Sequence, residues 1–178
     1  MEKKYRVGIV GGTGMVGQRF ATLLEHHPWF TVTAIAASGR SAGKTYGQAV
    51  EGRWMMERPV PQNMKDLVVK DAQDVEAMKR EVDFVFCAVD MKKEEIRQLE
   101  EAYAKAEVPV VSNNSAHRGT PDVPMVIPEI NPEHTGVIPA QRRRLGTERG
   151  FIAVKSNCSI QSYVPALSPL REFGIEKI

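Results

Sequence analysis

Cys158 is the strongest candidate for covalent chemistry, and it stands in the segment 155–161, which reads KSNCSIQ. A β-type run at 151–154 precedes it, and apolar residues at helical spacing follow it. The pattern predicts that Cys158 lies at or next to a helix N-terminus, where unpaired N–H groups and the helix dipole favour the nucleophilic thiolate. The segment alone favours an inert buried cysteine, as free cysteines commonly are, so the rest of the chain must decide.

A glycine-rich turn near the N-terminus is the second candidate. It reads GGTGMVG from Gly11 to Gly17 and follows the apolar run 7–10. Gly11 would permit the tight turn, Gly14 would let the backbone approach a pyrophosphate, and Gly17 would let helix and strand pack closely. A helix pattern follows, and its expected apolar face is formed by Val16, Phe20, Leu23 and Leu24. Strand, glycine turn and helix in this order predict a dinucleotide site, although a plain βα turn is the alternative.

The loop after the next predicted strand, 31–36, bears on the choice of cofactor. NAD-preferring folds place a carboxylate about 20 residues beyond the glycine turn, to bind the ribose 2′-OH. This chain has Ser38, Gly39, Arg40 and Ser41 there instead. An arginine flanked by hydroxyls suits a 2′-phosphate, so the sequence predicts NADP rather than NAD. A solvated loop arginine is the alternative.

Strands and helices alternate along the rest of the chain. Predicted strands lie at 67–69, 84–89 and 108–112, and predicted helices lie at 74–80 and 92–106. Residues 42–65 are predicted to be loop with uncertain short elements, and the basic run 141–144 a solvated connector. The predicted fold class is therefore α/β, with a Rossmann-like, doubly wound, mainly parallel sheet. Cys87, inside an apolar strand, is expected to be structural.

A polar segment at 112–118 follows a strand that is expected to be buried. Ligands of doubly wound sheets collect beyond the carboxyl ends of the strands. Arg118 could therefore bind an anionic group of a substrate, and Asn113 could face the cofactor. A solvated loop is the alternative.

Composition restricts the classes of partner. The 178 residues carry a net charge of +2, which gives no strong case for nucleic acid or an anionic membrane. Two cysteines offer no disulfide framework, and the N-terminus has no signal-type apolar segment, so we expect a cytoplasmic protein. No stretch approaches a membrane span. The four histidines show no metal-ligand spacing, and we expect no metal site.

Taken together, the motifs resemble those of aspartate-semialdehyde dehydrogenase, in particular its archaeal and fungal-like branch. The matching segments are 11–20, 27–30, 38–44, 112–118, 126–134 and 156–159. They occur in order along essentially the whole chain, and the combination is far more specific than any one motif. Malonyl-coenzyme A reductases of related sequence look similar, and N-acetyl-glutamyl-phosphate reductases share the architecture more distantly.

The resemblance implies NADP-dependent reductive dephosphorylation of L-4-aspartyl phosphate to L-aspartate 4-semialdehyde, a step toward lysine, threonine and methionine. Cys158 would form the thioacyl enzyme, Arg118 would bind the substrate phosphate, and Asn157 would help to position the acyl group. Contacts with the NADP phosphates are implied for Thr13, Gly14, Met15 and Val16. Contacts with the 2′-phosphate are implied for Arg40 and Ser41.

The resemblance also implies a longer parent enzyme, about twice this length. Its second domain would supply a catalytic histidine, an arginine for the substrate carboxylate and most of the interface of a homo-oligomer, a dimer or tetramer. We therefore expect an NADP-binding domain at 1–157, and at 158–178 the catalytic-cysteine helix and the beginning of a truncated second domain. The isolated chain is expected to be inactive. A non-catalytic NADP-binding module with an idle Cys158 is the competing hypothesis.

Overall fold

The computed structural model describes residues 4–175, and seven strands form one sheet. The strands are β1 (Tyr5–Val10), β2 (Phe30–Ala37), β3 (Lys70–Asp71), β4 (Phe84–Cys87), β5 (Val110–Ser112), β6 (Met125–Val126) and β7 (Ile152–Lys155). Their order is β3-β2-β1-β4-β5-β7-β6, and each pair of neighbours is parallel. The outer ends of the two predicted domains, 1–3 and 176–178, lie outside the described residues.

Helices cover both faces of this sheet. They are α1 (Met15–Leu24), α2 (Tyr46–Val50), α3 (Gln62–Lys65), α4 (Val75–Lys79), α5 (Lys93–Lys105), α6 (Ile138–Leu145) and α7 (Cys158–Leu167). Two 3₁₀ turns occupy Pro132–Val137 and Ser168–Phe173. One hydrophobic core joins the sheet to α1, α2 and α3, and the other joins it to α4, α5 and α6. The predicted α/β, doubly wound fold class is confirmed.

The strand order reverses at β1, because the chain moves from β1 to β2 and β3 on one side and returns to β4 on the other. In open parallel sheets such a reversal opens a crevice at the carboxyl ends of the strands. The loops that follow β1, β2, β4, β5 and β7 all begin at this edge, since these strands run in one direction. Residues far apart in the sequence are thereby brought to one edge.

The buried side of α1 differs from the prediction. Val16 and Leu23 were expected to face the core, but they are 37% and 59% exposed. The helix instead buries Gly17, Gln18, Ala21 and Leu24. A side chain at position 17 would collide with the backbone of Gly11 and Gly12, so the helix turns its smallest residue toward the turn. With Gly17 facing the turn, Val16 and Leu23 point away from the sheet.

The segment 42–71 also corrects the sequence reading. It contains α2, whose N-terminus is capped by Thr45 in a capping box with Gln48, and it contains α3. The strand predicted at 67–69 lies at Lys70–Asp71 instead. Val68 forms only an isolated bridge with Thr45 and remains 57% exposed.

The run 141–144 belongs to α6 and is not the solvated connector that was predicted. Gln141 is fully buried, where its amide nitrogen donates to the carbonyl of Ile152 and its oxygen accepts from the N–H of the same residue. Arg144 pairs with the carboxylates of Asp122 and Glu101. Arg142 donates to the carbonyl of Arg149, so two of the three arginines are used within the fold, and Arg143 is exposed. None of the helices between residues 4 and 175 is long and apolar enough to cross a membrane.

Candidate active site

The glycine turn after β1 is shaped by two close backbone contacts. Gly11 has φ +89°, and a side chain there would meet the carbonyl of Ala88 after β4. Gly17 packs against the same turn. The carbonyl of Gly12 accepts from the buried Tyr46 hydroxyl at 2.9 Å, and that of Thr13 accepts from Gln18 at 3.1 Å. The predicted roles of Gly11 and Gly17 in shaping the turn are confirmed.

The N-terminus of α1 is left without a side-chain cap. Gly14 is its N-cap residue, so it offers no side chain to accept from the first-turn N–H groups, and that turn contains no acidic residue. The unpaired N–H groups and the positive end of the helix dipole therefore point to an anionic ligand. Met15 and Val16 stand in this turn with exposed side chains.

A cleft of about 570 Å³ opens beside this helix end. Five residues predicted to contact the cofactor line it: Gly11, Thr13, Gly14, Ser38 and Arg40. The loop after β4 contributes Ala88–Met91 to its other wall. The structure thus brings the glycine turn and the arginine loop of the sequence analysis to one cavity.

Three residues of the cleft region depart from expectation. Arg53 also lines the cleft, and its guanidinium donates to Ser41 Oγ at 2.8 Å and to the carbonyl of Ala49. Ser41 is buried behind the lining and accepts this bond, so its hydroxyl does not face the cleft. Asp71, at the end of β3, brings a carboxylate to the same wall. Arg53 was missed because it lies in the segment 42–65, which shows no clear periodicity, and Asp71 was missed because the strand that ends with it was predicted at 67–69.

Cys158 is exposed and is the first residue of α7, which confirms its predicted place at a helix N-terminus. Asn157 caps this helix, with its side-chain oxygen accepting from the N–H of Ile160 at 2.8 Å. The oxygen of Asn157 is therefore occupied, and the amide nitrogen is the group left to meet a substrate. Lys155 Nζ lies 3.8 Å from Cys158 Sγ, a contact that the sequence analysis missed.

Arg118 connects the loops that follow β5 and β7. Its Nε donates to the carbonyl of Lys155 at 3.1 Å, and Nη2 donates to the carbonyl of Asn113 at 3.2 Å. Both acceptors are neutral, so the positive charge of Arg118 is oriented but not cancelled. The structure therefore connects the loop of Asn113 and Arg118 with Lys155, three residues before Cys158.

A buried polar network supports the loop that carries Asn113 and Arg118. Glu100 of α5 is 1% exposed, and one of its oxygens accepts from the hydroxyl of Ser112 and from the amide of Asn114 at 3.0 Å. Asn114 also donates to Cys87 Sγ at 3.5 Å. Burial, and then the nearby Glu100, raise the pKa of the Cys87 thiol well above its usual range, so this cysteine stays protonated. Cys87 is structural, as expected.

The candidate site at the carboxyl edge of the sheet has two adjacent halves. The uncapped helix end, the glycine turn and the Arg40 loop fit the phosphates of a dinucleotide. The second half holds an exposed thiol with a lysine and an arginine nearby, which suits attack on an acyl group attached to an anion.

Comparison with known proteins agrees with this geometry. The family described as semialdehyde dehydrogenase, NAD-binding domain, matches residues 6–138. An aspartate-semialdehyde dehydrogenase from Archaeoglobus fulgidus is 42% identical over 177 residues, which cover 98% of this chain and 49% of that protein. The enzyme of the same name from Saccharomyces cerevisiae is 37% identical, with 98% and 47% covered. The chain spans about half the length of these curated relatives.

Among solved structures, a crystal structure of aspartate-semialdehyde dehydrogenase with NADP from Candida albicans superposes with a TM-score of 0.82. It is 38% identical, and the match covers 96% of this chain and 48% of that one. The resemblance inferred from the sequence motifs is confirmed by these relatives. The chain belongs to the semialdehyde dehydrogenase family and carries its NAD-binding domain.

Proposed function

We propose that this chain is the NADP-binding and acyl-accepting part of an aspartate-semialdehyde dehydrogenase. The reaction is the reductive dephosphorylation of L-4-aspartyl phosphate to L-aspartate 4-semialdehyde. The observation that carries the proposal is the exposed Cys158 at the head of α7, with Lys155 Nζ 3.8 Å from its sulfur and Arg118 bonded to the carbonyl of Lys155, at the same sheet edge as the dinucleotide cleft. The names of the relatives support the substrate.

In the proposed chemistry the Cys158 thiolate attacks the acyl carbon of aspartyl phosphate. A carbon–sulfur bond forms, the carbon–oxygen bond to phosphate breaks, and phosphate leaves with the bonding electron pair. Arg118 holds the phosphate through charge-assisted hydrogen bonds, and the amide nitrogen of Asn157 orients the acyl oxygen. The reduced nicotinamide, when bound, supplies the hydride that converts the thioester to the aldehyde and returns the thiolate.

We propose NADP as the cofactor because Arg40 and Arg53 line one cleft with Ser38. A 2′-phosphate needs positive charge at this place, and a guanidinium offers a planar pair of donors. Two carboxylates, those of Asp71 and Asp90, also line the cleft, and the N–H of Gln73 donates to one oxygen of Asp71 at 2.9 Å. Contacts of Thr13, Gly14, Met15, Val16 and Asn113 with the cofactor stay predictions.

The remaining steps are assigned to parts of the enzyme beyond this sequence. Since the chain spans about half the length of its relatives, we propose that it binds NADP and presents Cys158 but does not turn over by itself. In this proposal α7 begins the substrate domain, which agrees with the absence of a buried residue anywhere in α7. That domain would also form the contacts of a homo-oligomer.

Alkylation of Cys158 tests the substrate. Iodoacetamide at pH 7 should label Cys158 faster than a free thiol, and Cys158→Ser should abolish this labelling. Aspartyl phosphate should slow it more than malonyl-coenzyme A or N-acetyl-glutamyl phosphate does. Stronger protection by malonyl-coenzyme A would replace the proposed substrate with that thioester, and labelling at the rate of a free thiol would support the non-catalytic module.

Titration calorimetry with NADP and NAD tests the cofactor. The chain should bind NADP more tightly, and Arg40→Ala should remove most of the difference, about tenfold or more for one lost charge-assisted contact. Arg58→Ala, which replaces an exposed arginine outside the cleft, is the matched control. An unchanged preference in Arg40→Ala would show that the Ser38–Ser41 loop does not read the 2′-phosphate.

A further inference from the structure

Lys155 contacts both Cys158 and Arg118. It is the last residue of β7, and its Nζ lies 3.8 Å from Cys158 Sγ. Its backbone carbonyl accepts from Arg118 Nε at 3.1 Å. The same residue therefore meets the attacking sulfur through its side chain and fixes the phosphate-binding arginine through its backbone.

The charge of Lys155 is available to an anion. Its ammonium donates to the carbonyl of Ser156 at 3.0 Å, which orients the group without neutralising it. Within residues 4–175, neither Lys155 nor Arg118 forms an ion pair with a carboxylate. Two cations without a carboxylate partner are thus linked to the Cys158 segment, Lys155 by contact with the sulfur and Arg118 by its bond to the carbonyl of Lys155, whereas Arg144 in the same fold is paired with two carboxylates.

We propose that Lys155 is a further catalytic residue, which pairs with the Cys158 thiolate and forms with Arg118 a two-cation site for the phosphate of the acyl donor. This inference rests on the proposed function. When the thiolate becomes a neutral thioester, the Lys155 ammonium loses its first anionic partner. The departing phosphate, which carries away the bonding electron pair, becomes its second. The acyl carbon of a thioester donor bears no phosphate, so such a donor would leave the two-cation phosphate site unused, and Lys155 therefore favours acyl phosphates over thioesters.

Charged and neutral alkylating reagents test the field of Lys155 directly. Iodoacetate is an anion and iodoacetamide is neutral, so the ratio of their rates at Cys158 reports the local positive charge. Lys155→Gln should lower this ratio about tenfold, and Lys155→Arg should preserve it. Lys79→Gln, at an exposed lysine of α4, is the matched control. Lys155→Gln and Lys155→Arg replace the same side chain, so a loss of stability common to both variants cannot account for a difference between their ratios.

Protection by inorganic phosphate tests the two-cation site. Phosphate should slow the labelling of Cys158 by iodoacetamide in the unsubstituted chain, and the concentration needed should rise about tenfold in Lys155→Gln but not in Lys155→Arg. An unchanged reagent ratio and unchanged phosphate protection in Lys155→Gln would overturn the proposal. Neither measurement uses aspartyl phosphate, so a chain that passes both tests but shows no protection by aspartyl phosphate would refute the proposed substrate and leave Lys155 in place.

Discussion

Glu107 offers a quantitative test of how the loop before β7 is held. It is the only non-glycine residue with a positive φ in the described part of the chain, at +66°, and it follows the C-cap of α5. Its carboxylate accepts from the N–H groups of Glu148 at 2.9 Å, Arg149 at 2.7 Å and Gly150 at 2.7 Å. These bonds fix the entry to the strand that carries Lys155 toward Cys158.

Two substitutions separate the bonds from the backbone strain. Glu107→Ala removes three hydrogen bonds to a charged acceptor, worth about 2–3 kcal/mol after allowance for solvent screening, and keeps the strained φ. Glu107→Gly removes the same bonds but relieves a strain of about 1 kcal/mol, so it should cost only about 1–2 kcal/mol. Urea unfolding followed by tryptophan fluorescence measures both. Equal stabilities of the two variants would refute the assignment of strain to this position.

The pH dependence has a definite sign. The three backbone N–H groups lower the pKa of Glu107 from its ordinary value of 4.5, so the folded state binds the proton less well than the unfolded state. The stabilising contribution is therefore present at pH 7 and is lost as the pH falls below 4.5. The stability difference between the unsubstituted chain and Glu107→Ala should shrink from pH 7 to pH 3. A constant difference over this range would show that the carboxylate charge contributes nothing.

Three further predictions concern the core and the turn. Gly17→Ala should destabilise the chain by about 2 kcal/mol and weaken NADP binding, because the new methyl group meets the backbone of the glycine turn; urea unfolding and calorimetry measure the two effects. Gln141→Leu should cost about 3 kcal/mol in urea unfolding, since it leaves the backbone groups of buried Ile152 without partners, and a cost below 1 kcal/mol would contradict this. A thiol reagent at pH 8 should count one reactive cysteine, Cys158, in the folded chain and two in urea, because burial and a raised pKa protect Cys87; two fast thiols without urea would disprove it.

The sequence predicted those features that depend on local patterns. The glycine turn, the strand of Cys87 and the helix that begins at Cys158 all follow from residue spacing over a few turns of chain. Their meeting at one edge also follows, because parallel strands bring their carboxyl ends together.

Contacts between distant segments could not be predicted from the sequence. Arg53 enters the cleft from a loop whose position depends on the packing of α2, and no periodicity marks it. Lys155 stands three residues before Cys158, yet its contact with the sulfur depends on how the chain turns between β7 and α7. The predicted buried face of α1 was wrong because the close backbone contact at Gly17 orients the helix and leaves the side chains of Val16 and Leu23 exposed.

The strand order also sets the distance between the dinucleotide cleft and Cys158. From β1, whose end bears the glycine turn, to β7, whose end precedes Cys158, the sheet has three intervals, or about 14 Å at the usual spacing of paired strands. This length is set by backbone hydrogen bonds and not by any side chain. Point substitutions can therefore alter affinity at either end, but they leave the reach demanded of a dinucleotide unchanged. Only the gain or loss of a whole strand between β1 and β7 would change this distance.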